Sequence, residues 1–532
     1  MGIYSKGGKI ELNNGIINVG INATGVYADN NSIVVVAPNA AISLSSNEAV
    51  GVYGVNGSRI TNNSANIAIG SGNYGFILNS GASFENNALL TLGSNEVLVY
   101  SDGGSTINNN NDINMAGSNN IAVYSVNGGA VTNTGNMNNS GGIGNIAVYN
   151  NGGSINNSGQ LILGDSKIVS KNNTLLNDYA VGLYGENSVI TNTGNIIAGK
   201  GSVGIYSKTD TGHGLVVTTN SGNIHLADGA VGLYAEGENT QIINASGAVI
   251  TAAGHESIGM AAVGGALITN RGTINVTGSS SYGMYGDANS KIENFGTINV
   301  SGTDNIAILM ANSSEIVNNT TGTINILSGS VNALGLTQSV SSKYEIPSIV
   351  NSGIINVSEN FKVSGVEITI KVEPSTITVS TLAQDAGAKF ISDSVKFYAP
   401  SFSVDEKNPL IVTPDFTQGT NAVTYKLKDV FNPTTPNGGP NLGTVPVVSK
   451  SLTWEAVPQL NNKGNIDIWM KKIPYDKFTS GLWYDDFGKN LDKKYGVDGI
   501  SAEAVTIFNK LDYLDNERDF RHITASLAGN VY

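Results

Sequence analysis

Four histidines, His213, His225, His255 and His522, are the first residues whose types could do chemistry. None belongs to an HExxH pair, and none stands at metal-ligand spacing from another, so no metal site is expected. No nucleophile elbow of the GxSxG kind has a suitable partner pair. Glycine clusters such as GGPNLG lack the strand–loop–helix setting and the lysine that together cradle a phosphate. Polysaccharide lyases and hydrolases need clustered carboxylates, often with Arg or Lys, on one face. Here the acids are sparse through the first 330 residues: Glu236 and Glu238 form the densest pair, Asp287 and Glu293 stand apart, and Arg271 is the one arginine there after Arg59. The expectation is a protein that is not an enzyme and takes no cofactor.

Tyrosine offers a different chemistry. A triplet of small residue, apolar residue and usually Tyr recurs: Gly2–Tyr4, Gly25–Tyr27, Gly51–Tyr53, Gly75–Ile77, Leu98–Tyr100, Ala122–Tyr124, Ala147–Tyr149, Gly182–Tyr184, Gly204–Tyr206, Gly232–Tyr234, Gly259–Ala261, Gly283–Tyr285, Ala307–Leu309 and Ala333–Gly335. Most steps are 22 to 28 residues and one is 35. If the middle residue points inward, its Tyr neighbour points outward, and a ladder of rings runs along the molecule. Such a stripe binds a glycan or another rod, or else serves stability alone by packing ring on ring at a corner.

The elements that would carry this ladder are short strands. Between triplets lies a second landmark, in TNRGTINV (Thr269–Val276), ENFGTINV (Glu293–Val300), TGTINI (Thr321–Ile326) and NSGIINV (Asn351–Val357). In GTINV, Ile274 and Val276 alternate with polar neighbours, the period of a half-buried strand. Gly and Asn between the runs supply turns. A unit of about two dozen residues cannot bury its apolar face alone but can when stacked. Ile274 is then expected over Ile298 and Val276 over Val300, in a right-handed parallel β-helix; the hand follows from crossover rules. Fourteen rungs would span roughly 65–70 Å. Asn270 and Asn294 are expected to stack at a corner and to hydrogen-bond along the axis.

Two turns exceed the usual length. The surplus residues are KIVSKNNTLLND (Lys167–Asp178) and KTDTGHGL (Lys208–Leu215). In a solenoid extra residues leave as loops, and loops make contacts. The candidate contact residues are therefore Lys167, Lys171, Lys208, Asp210 and His213, together with Tyr184, Tyr206 and Tyr234.

Charge density marks the other boundary. Residues 1–330 hold 9 basic and 19 acidic side chains, and residues 331–532 hold 19 and 22. The β-helix is assigned to 1–357. Residues 358–475 stay strand-like without repeating and are read as a β-rich cap over an exposed strand edge. Trp454, Trp469 and Trp483 are assigned to its core. Residues 476–532 are read as linker and helices: Ala504, Phe508 and Leu511 share one stripe, and Phe520, Ile523 and Leu527 another. Asn516 is the expected cap of the second and Gly529 its end.

The net charge of −13 and the lack of a basic run argue against a nucleic-acid partner. The chain has no cysteine, which excludes disulfides and thiolate metal sites. No apolar run approaches the 18 or so residues of a membrane-spanning helix. The opening MGIYSKGG is no signal peptide and starts inside a repeat, so the natural protein is expected to extend upstream.

This order of parts resembles the membrane-proximal portion of a type V autotransporter passenger. The repeats and KIPYDKF (Lys472–Phe478) are most similar to the large fusobacterial surface adhesins, and the ending FRHITASLAGNVY (Phe520–Tyr532) is the more specific signal. The resemblance implies a stem at the bacterial surface, anchored by an outer-membrane β-barrel that this sequence lacks. It also implies an autochaperone role for the cap, a monomeric state, and a host-cell protein or glycan receptor. Two alternatives come from other classes: a lyase-type β-helix, and a trimeric fibre like a phage tailspike.

Overall fold

The computed structural model describes residues 1–310 except 46, 172–173 and 288, and residues 446–529 except 498. Between these it describes 315–319, 321–327, 348–351, 354–357, 361–363, 367–371, 377–378, 389–390, 396–399, 402–404, 409–415 and 422–433. The chain divides into two compact units: residues 1–314 with 329–335, and residues 315–328 with 336–532.

The first unit is a parallel β-solenoid of the right-handed type. Past the first three turns, each turn of this unit contributes one strand to each of three sheets. The strands of the triplet landmark, eleven of them with a tyrosine, form a sheet of thirteen, from Ile3–Lys6 to Ile306–Met310. At one strand spacing per turn it extends roughly 60 Å. The landmark at Ala333–Gly335 lies outside the described residues.

Register follows the sequence repeat. Ile250, Ile274 and Ile298 stand in line in the third sheet. Ile274 and Ile298 are fully buried, as are Val276 and Val300 beside them. Thr273–Val276 and Thr297–Val300 share one alternation of half-buried and buried residues, the direct consequence of a period of two.

The glycines are set by close approach. A Cβ at Gly232 would meet the Gly259 carbonyl oxygen at 2.5 Å, and one at Gly296 would meet the Gly272 oxygen at 2.1 Å. At these positions one turn lies directly on the next, and a side chain would push them apart.

Asparagine closes the remaining corner. Asn62, Asn86, Asn109, Asn133, Asn157, Asn192, Asn220, Asn244, Asn270 and Asn294 form one buried column. Each Nδ2 donates to the Oδ1 of the next, at 2.7–3.0 Å. In most turns the same Nδ2 also donates to the backbone carbonyl two residues on, as Asn192 does to Gly194 at 2.8 Å. A buried primary amide is costly unless its donors and acceptor are used. Here the neighbouring turns use them, so each completes the other.

In the second unit the sheets turn from parallel to antiparallel pairing. Glu367–Lys371, Leu410–Asp415 and Val447–Ser449 pair in parallel. Ile466–Lys472 pairs antiparallel with both Thr424–Pro433 and Trp454–Leu460. Tyr425, Leu427, Phe431, Trp454 and Ile468 are buried among these strands.

Four helices follow: α1 (Asp476–Thr479), α2 (Asp485–Lys494), α3 (Ala502–Asp512) and α4 (Glu517–Leu527). Ser501 caps α3 by accepting from the Ala504 amide, and Asn516 caps α4 by accepting from that of Asp519. Gly529, past the end of α4, has φ +97°. The first two helices are not individually evident in the sequence.

KIPYDKF is the join. The Tyr475 and Asp476 amides both donate to the Asp492 carboxylate of α2, and Phe478 packs on Phe520 of α4. Trp454 and Trp469 are core residues as expected, but Trp483 is 64% exposed. It lies in the turn between α1 and α2, where its ring meets the edge of Tyr484 instead of a sheet face.

Candidate functional site

The tyrosines point outward from mid-strand, and they also pack on one another. An unbroken run of ring contacts joins Tyr100, Tyr124, Tyr149, Tyr184, Tyr206 and Tyr234. The cause is register: Tyr149, Tyr184, Tyr206 and Tyr234 are direct partners in successive strands. One strand spacing is close to the distance at which aromatic rings attract.

Tyr100 and Tyr124 stack at 5.6 Å and 16°, and from Tyr124 onward the ring planes alternate in pairs. Tyr124 and Tyr149 stack (4.7 Å, 11°), as do Tyr184 and Tyr206 (4.5 Å, 25°). Tyr149 meets Tyr184 edge-on (85°), and Tyr206 meets Tyr234 edge-on (83°). Each edge-on junction coincides with a hydroxyl bound to a carboxylate of the next turn. The Tyr149 hydroxyl donates to Glu186 at 2.6 Å, and the Tyr206 hydroxyl donates to Glu236.

These glutamates lie two residues beyond Tyr184 and Tyr234, in a second outward column where Glu186, Lys208 and Glu236 are direct partners. Lys208 pairs with Glu186 at 3.5 Å and with Asp210 at 3.3 Å. Asp210 accepts from Asn187 Nδ2 at 3.0 Å, and its amide donates back to the Asn187 side-chain oxygen at 2.9 Å.

The protonation states follow these contacts. The Asn187 amide, then the Lys208 ammonium, hold the Asp210 carboxyl below its usual range. Asp210, aided by Glu186, raises Lys208. Burial, and next the glutamate hydrogen bond, push Tyr149 and Tyr206 up. Burial, then the charge of Glu236, takes Tyr234 to about 12.

The structure therefore brings five of the sequence-derived contact residues into one patch: Tyr184, Tyr206, Tyr234, Lys208 and Asp210. His213 lies on the adjoining loop, exposed, its carbonyl accepting from Asn239 Nδ2 at 2.9 Å. The surplus at 167–178 is an antiparallel strand pair, Lys167–Lys171 with Thr174–Asp178. By chain order it stands where the chain enters the tyrosine sheet, whereas the 209–215 loop stands where the chain leaves it. Lys167 is exposed at the foot of that pair; the side chain of Lys171 lies outside the described residues.

Glu186, Asn187 and Tyr149 complete the patch; the sequence places Tyr149 in the ladder, but it singles out neither Glu186 nor Asn187. The signal that could find two of its acids is local: YGE (Tyr184–Glu186) and YAE (Tyr234–Glu236) place an acid on the same outward face as the ring.

The arrangement presents ring edges, phenols, amides and paired charges. Among the described residues no group of three or more His, Asp or Glu stands at metal-binding distance. It offers hydrogen bonding and aromatic packing from one face of a sheet.

Comparison with known domain families adds two matches. The family model of the BigA third pectate lyase-like domain matches residues 228–339, and that of the BigA beta sandwich domain matches residues 385–474. No curated protein matches the chain. Two stretches are thus similar to two domains of one kind of protein, and BigA-related domains belong to bacterial surface proteins of the adhesin type. The β-solenoid and these domains fit a surface-exposed, adhesin-like stem.

Proposed function

We propose that this chain is the stem of an autotransporter adhesin, displayed on a bacterial surface and anchored in the outer membrane through a β-barrel. The observation that carries the reading is the co-occurrence of the two BigA-type domains, in order, with a thirteen-strand parallel sheet. The solenoid holds a binding region away from the cell and adds a contact face of its own around Tyr184, Tyr206 and Tyr234. The second unit nucleates folding during secretion. The stem is monomeric and non-catalytic, and it has no nucleic-acid partner; its receptor is a host-cell protein or a surface glycan.

Antibodies raised against the chain should label intact, unpermeabilised bacteria. A fragment covering these residues should bind host cells or a glycan panel more weakly than the longer passenger does. Labelling only after lysis, or release of unsaturated sugars from a polysaccharide by the purified chain, would replace this reading with another.

A further inference from the structure

The ladder has a chemistry that adhesion does not use. One-electron oxidation of a phenol is easiest when a base takes the proton as the electron leaves. It leads to a covalent product when a second phenol lies against the first. Both conditions are met here, twice. The stacked pairs Tyr124–Tyr149 and Tyr184–Tyr206 hold their ring centres at 4.7 Å and 4.5 Å. Each pair contains one tyrosine whose hydroxyl already donates to a glutamate: Tyr149 to Glu186, and Tyr206 to Glu236.

The composition of the first unit removes most of the usual competitors. Cysteine and methionine are commonly the first side chains to be oxidised. The chain has no cysteine, and its three tryptophans, at 454, 469 and 483, all belong to the second unit. Met115, Met137, Met260 and Met284 are fully buried, and Met1, 71% exposed, stands at the far start of the chain. The tyrosines of the ladder are half-buried with an outward edge, and so within reach of an oxidant in solution.

We propose that the tyrosine ladder is an oxidative modification site, at which a one-electron oxidant converts Tyr124–Tyr149 and Tyr184–Tyr206 into dityrosine and staples one turn of the solenoid to the next. Two phenols each give one electron to an oxidant equivalent, such as a peroxidase-generated or photogenerated radical. Their hydroxyl protons leave to Glu186 or Glu236 directly, or to water. The two phenoxyl radicals join through the ring carbons beside their hydroxyls. The hydrogens on those carbons move to oxygen as the rings regain aromaticity, so the product has lost two hydrogen atoms in all. The edge-on junctions Tyr149–Tyr184 and Tyr206–Tyr234 do not lay ring on ring, and the stacked pairs Tyr100–Tyr124 and Tyr4–Tyr27 stand wider, at 5.6 Å and 5.8 Å, so the links form at the two close stacked pairs.

The test is a brief photo-oxidation of the dilute, purified chain with tris(bipyridine)ruthenium(II) and persulfate, read by dityrosine fluorescence and peptide mapping. The expected products are intramolecular links at Tyr124–Tyr149 and Tyr184–Tyr206 in a chain that still runs as a monomer on a denaturing gel. Tyr184→Phe should abolish the second link and leave the first, with an unchanged circular dichroism spectrum. Glu186→Gln and Glu236→Gln should each lower the yield of its own pair several-fold. Links that form only between molecules, or at the more exposed Tyr4, Tyr179 and Tyr513, would overturn the proposal. Yields unchanged in the two Gln variants would remove the glutamates from it. The outcome is independent of whether the protein binds a host cell.

Discussion

The Tyr149 hydroxyl donates to the Glu186 carboxylate at 2.6 Å, across 37 residues of sequence and one turn of the solenoid. The bond ties two rungs by their outer face, beside the backbone hydrogen bonds of the sheet and the ring contacts of the ladder. It repeats two turns on between Tyr206 and Glu236, and the Tyr285 hydroxyl donates to Asp287 at 3.2 Å. A phenol that donates to a carboxylate resists ionisation, because its anion would face a second negative charge.

Alkali should therefore unfasten the ladder. Tyr234 and Tyr285 are pushed up to about 12, by burial first and then by Glu236 and Asp287, and Tyr149 and Tyr206 are raised as well. An unfolded tyrosine ionises near pH 10. A folded pKa above the unfolded one gives stability that is complete below about pH 10 and is lost as pH rises toward about 12. Phenolate absorbance should lag behind that of a denatured control until the first unit melts. Glu186→Gln should bring the onset of Tyr149 ionisation to lower pH.

The buried amide column makes a second prediction. Asn192 accepts from Asn157 at 2.7 Å and donates to Asn220 at 2.8 Å. Asn192→Ala strands a donor on one turn and an acceptor on the next, at a cost of about 2–4 kcal/mol. Asn62, at the start of the column, accepts from the Ser64 amide of its own turn at 3.2 Å and donates to Asn86, so the same change there breaks the column on one side only. Thermal denaturation of the two variants should show the larger drop in Tm for Asn192→Ala.

These columns are legible in the sequence because a repeat states its own register. Ile274 over Ile298 and Asn270 over Asn294 need only the count of residues between copies. The Tyr149–Glu186 bond is not legible there, since an inserted strand pair lies between its partners and changes the spacing. The sheets of the second unit are legible only as strand-rich, unlike its capped last helix: the antiparallel pairing of Thr424–Pro433 with Ile466–Lys472 has no internal copy to set the register. Trp483 misleads because an aromatic residue beside a strand-rich region reads as core, whereas helices on both sides place it in a turn.

One position in the rod contradicts its column. Asn139 lies two residues beyond Met137, level with Met115 and Leu163 by the register of the flanking strands. Met115 and Leu163 are buried aliphatic side chains, and so is the environment of Asn139, whose amide oxygen and nitrogen both lack a hydrogen-bond partner. An orphaned buried amide costs about 1–3 kcal/mol. Asn139→Leu, close in volume, should stabilise the first unit by that order, read as a higher midpoint in denaturant. A lower midpoint would show that the amide is satisfied in solution.

The second unit carries a buried cation whose effect on stability has the opposite sign to that of the tyrosines. Lys472, from KIPYDKF, lies 3.6 Å from the Asp512 carboxylate of α3, and both side chains are almost wholly buried. Its ammonium sits 3.6 Å from the centre of the Tyr475 ring and donates to the Ile473 carbonyl at 2.7 Å. Asp512 accepts from Thr453 at 2.6 Å, from Tyr475 at 2.9 Å and from the Tyr495 hydroxyl. The group thereby fastens α3 to the antiparallel sheet. Burial lowers Lys472 to about 8, against the pull of Asp512 and Asp492 in the other direction. An unfolded lysine titrates near 10.4. Between about 8 and that value the unfolded chain binds a proton that the folded one has released, so stability rises with pH. The rise ends near pH 10, where Tyr475 and Tyr495, both raised by burial, begin to cost stability in their turn. Cleavage of the 476–529 segment by a protease active in mild alkali should therefore slow from about pH 8 to about pH 9.5. Lys472→Met keeps the stem of the side chain and removes the titrating group. In that variant the segment should be more readily cleaved near pH 7, since Asp512 loses its buried counter-charge, and the slowing between about pH 8 and about pH 9.5 should vanish.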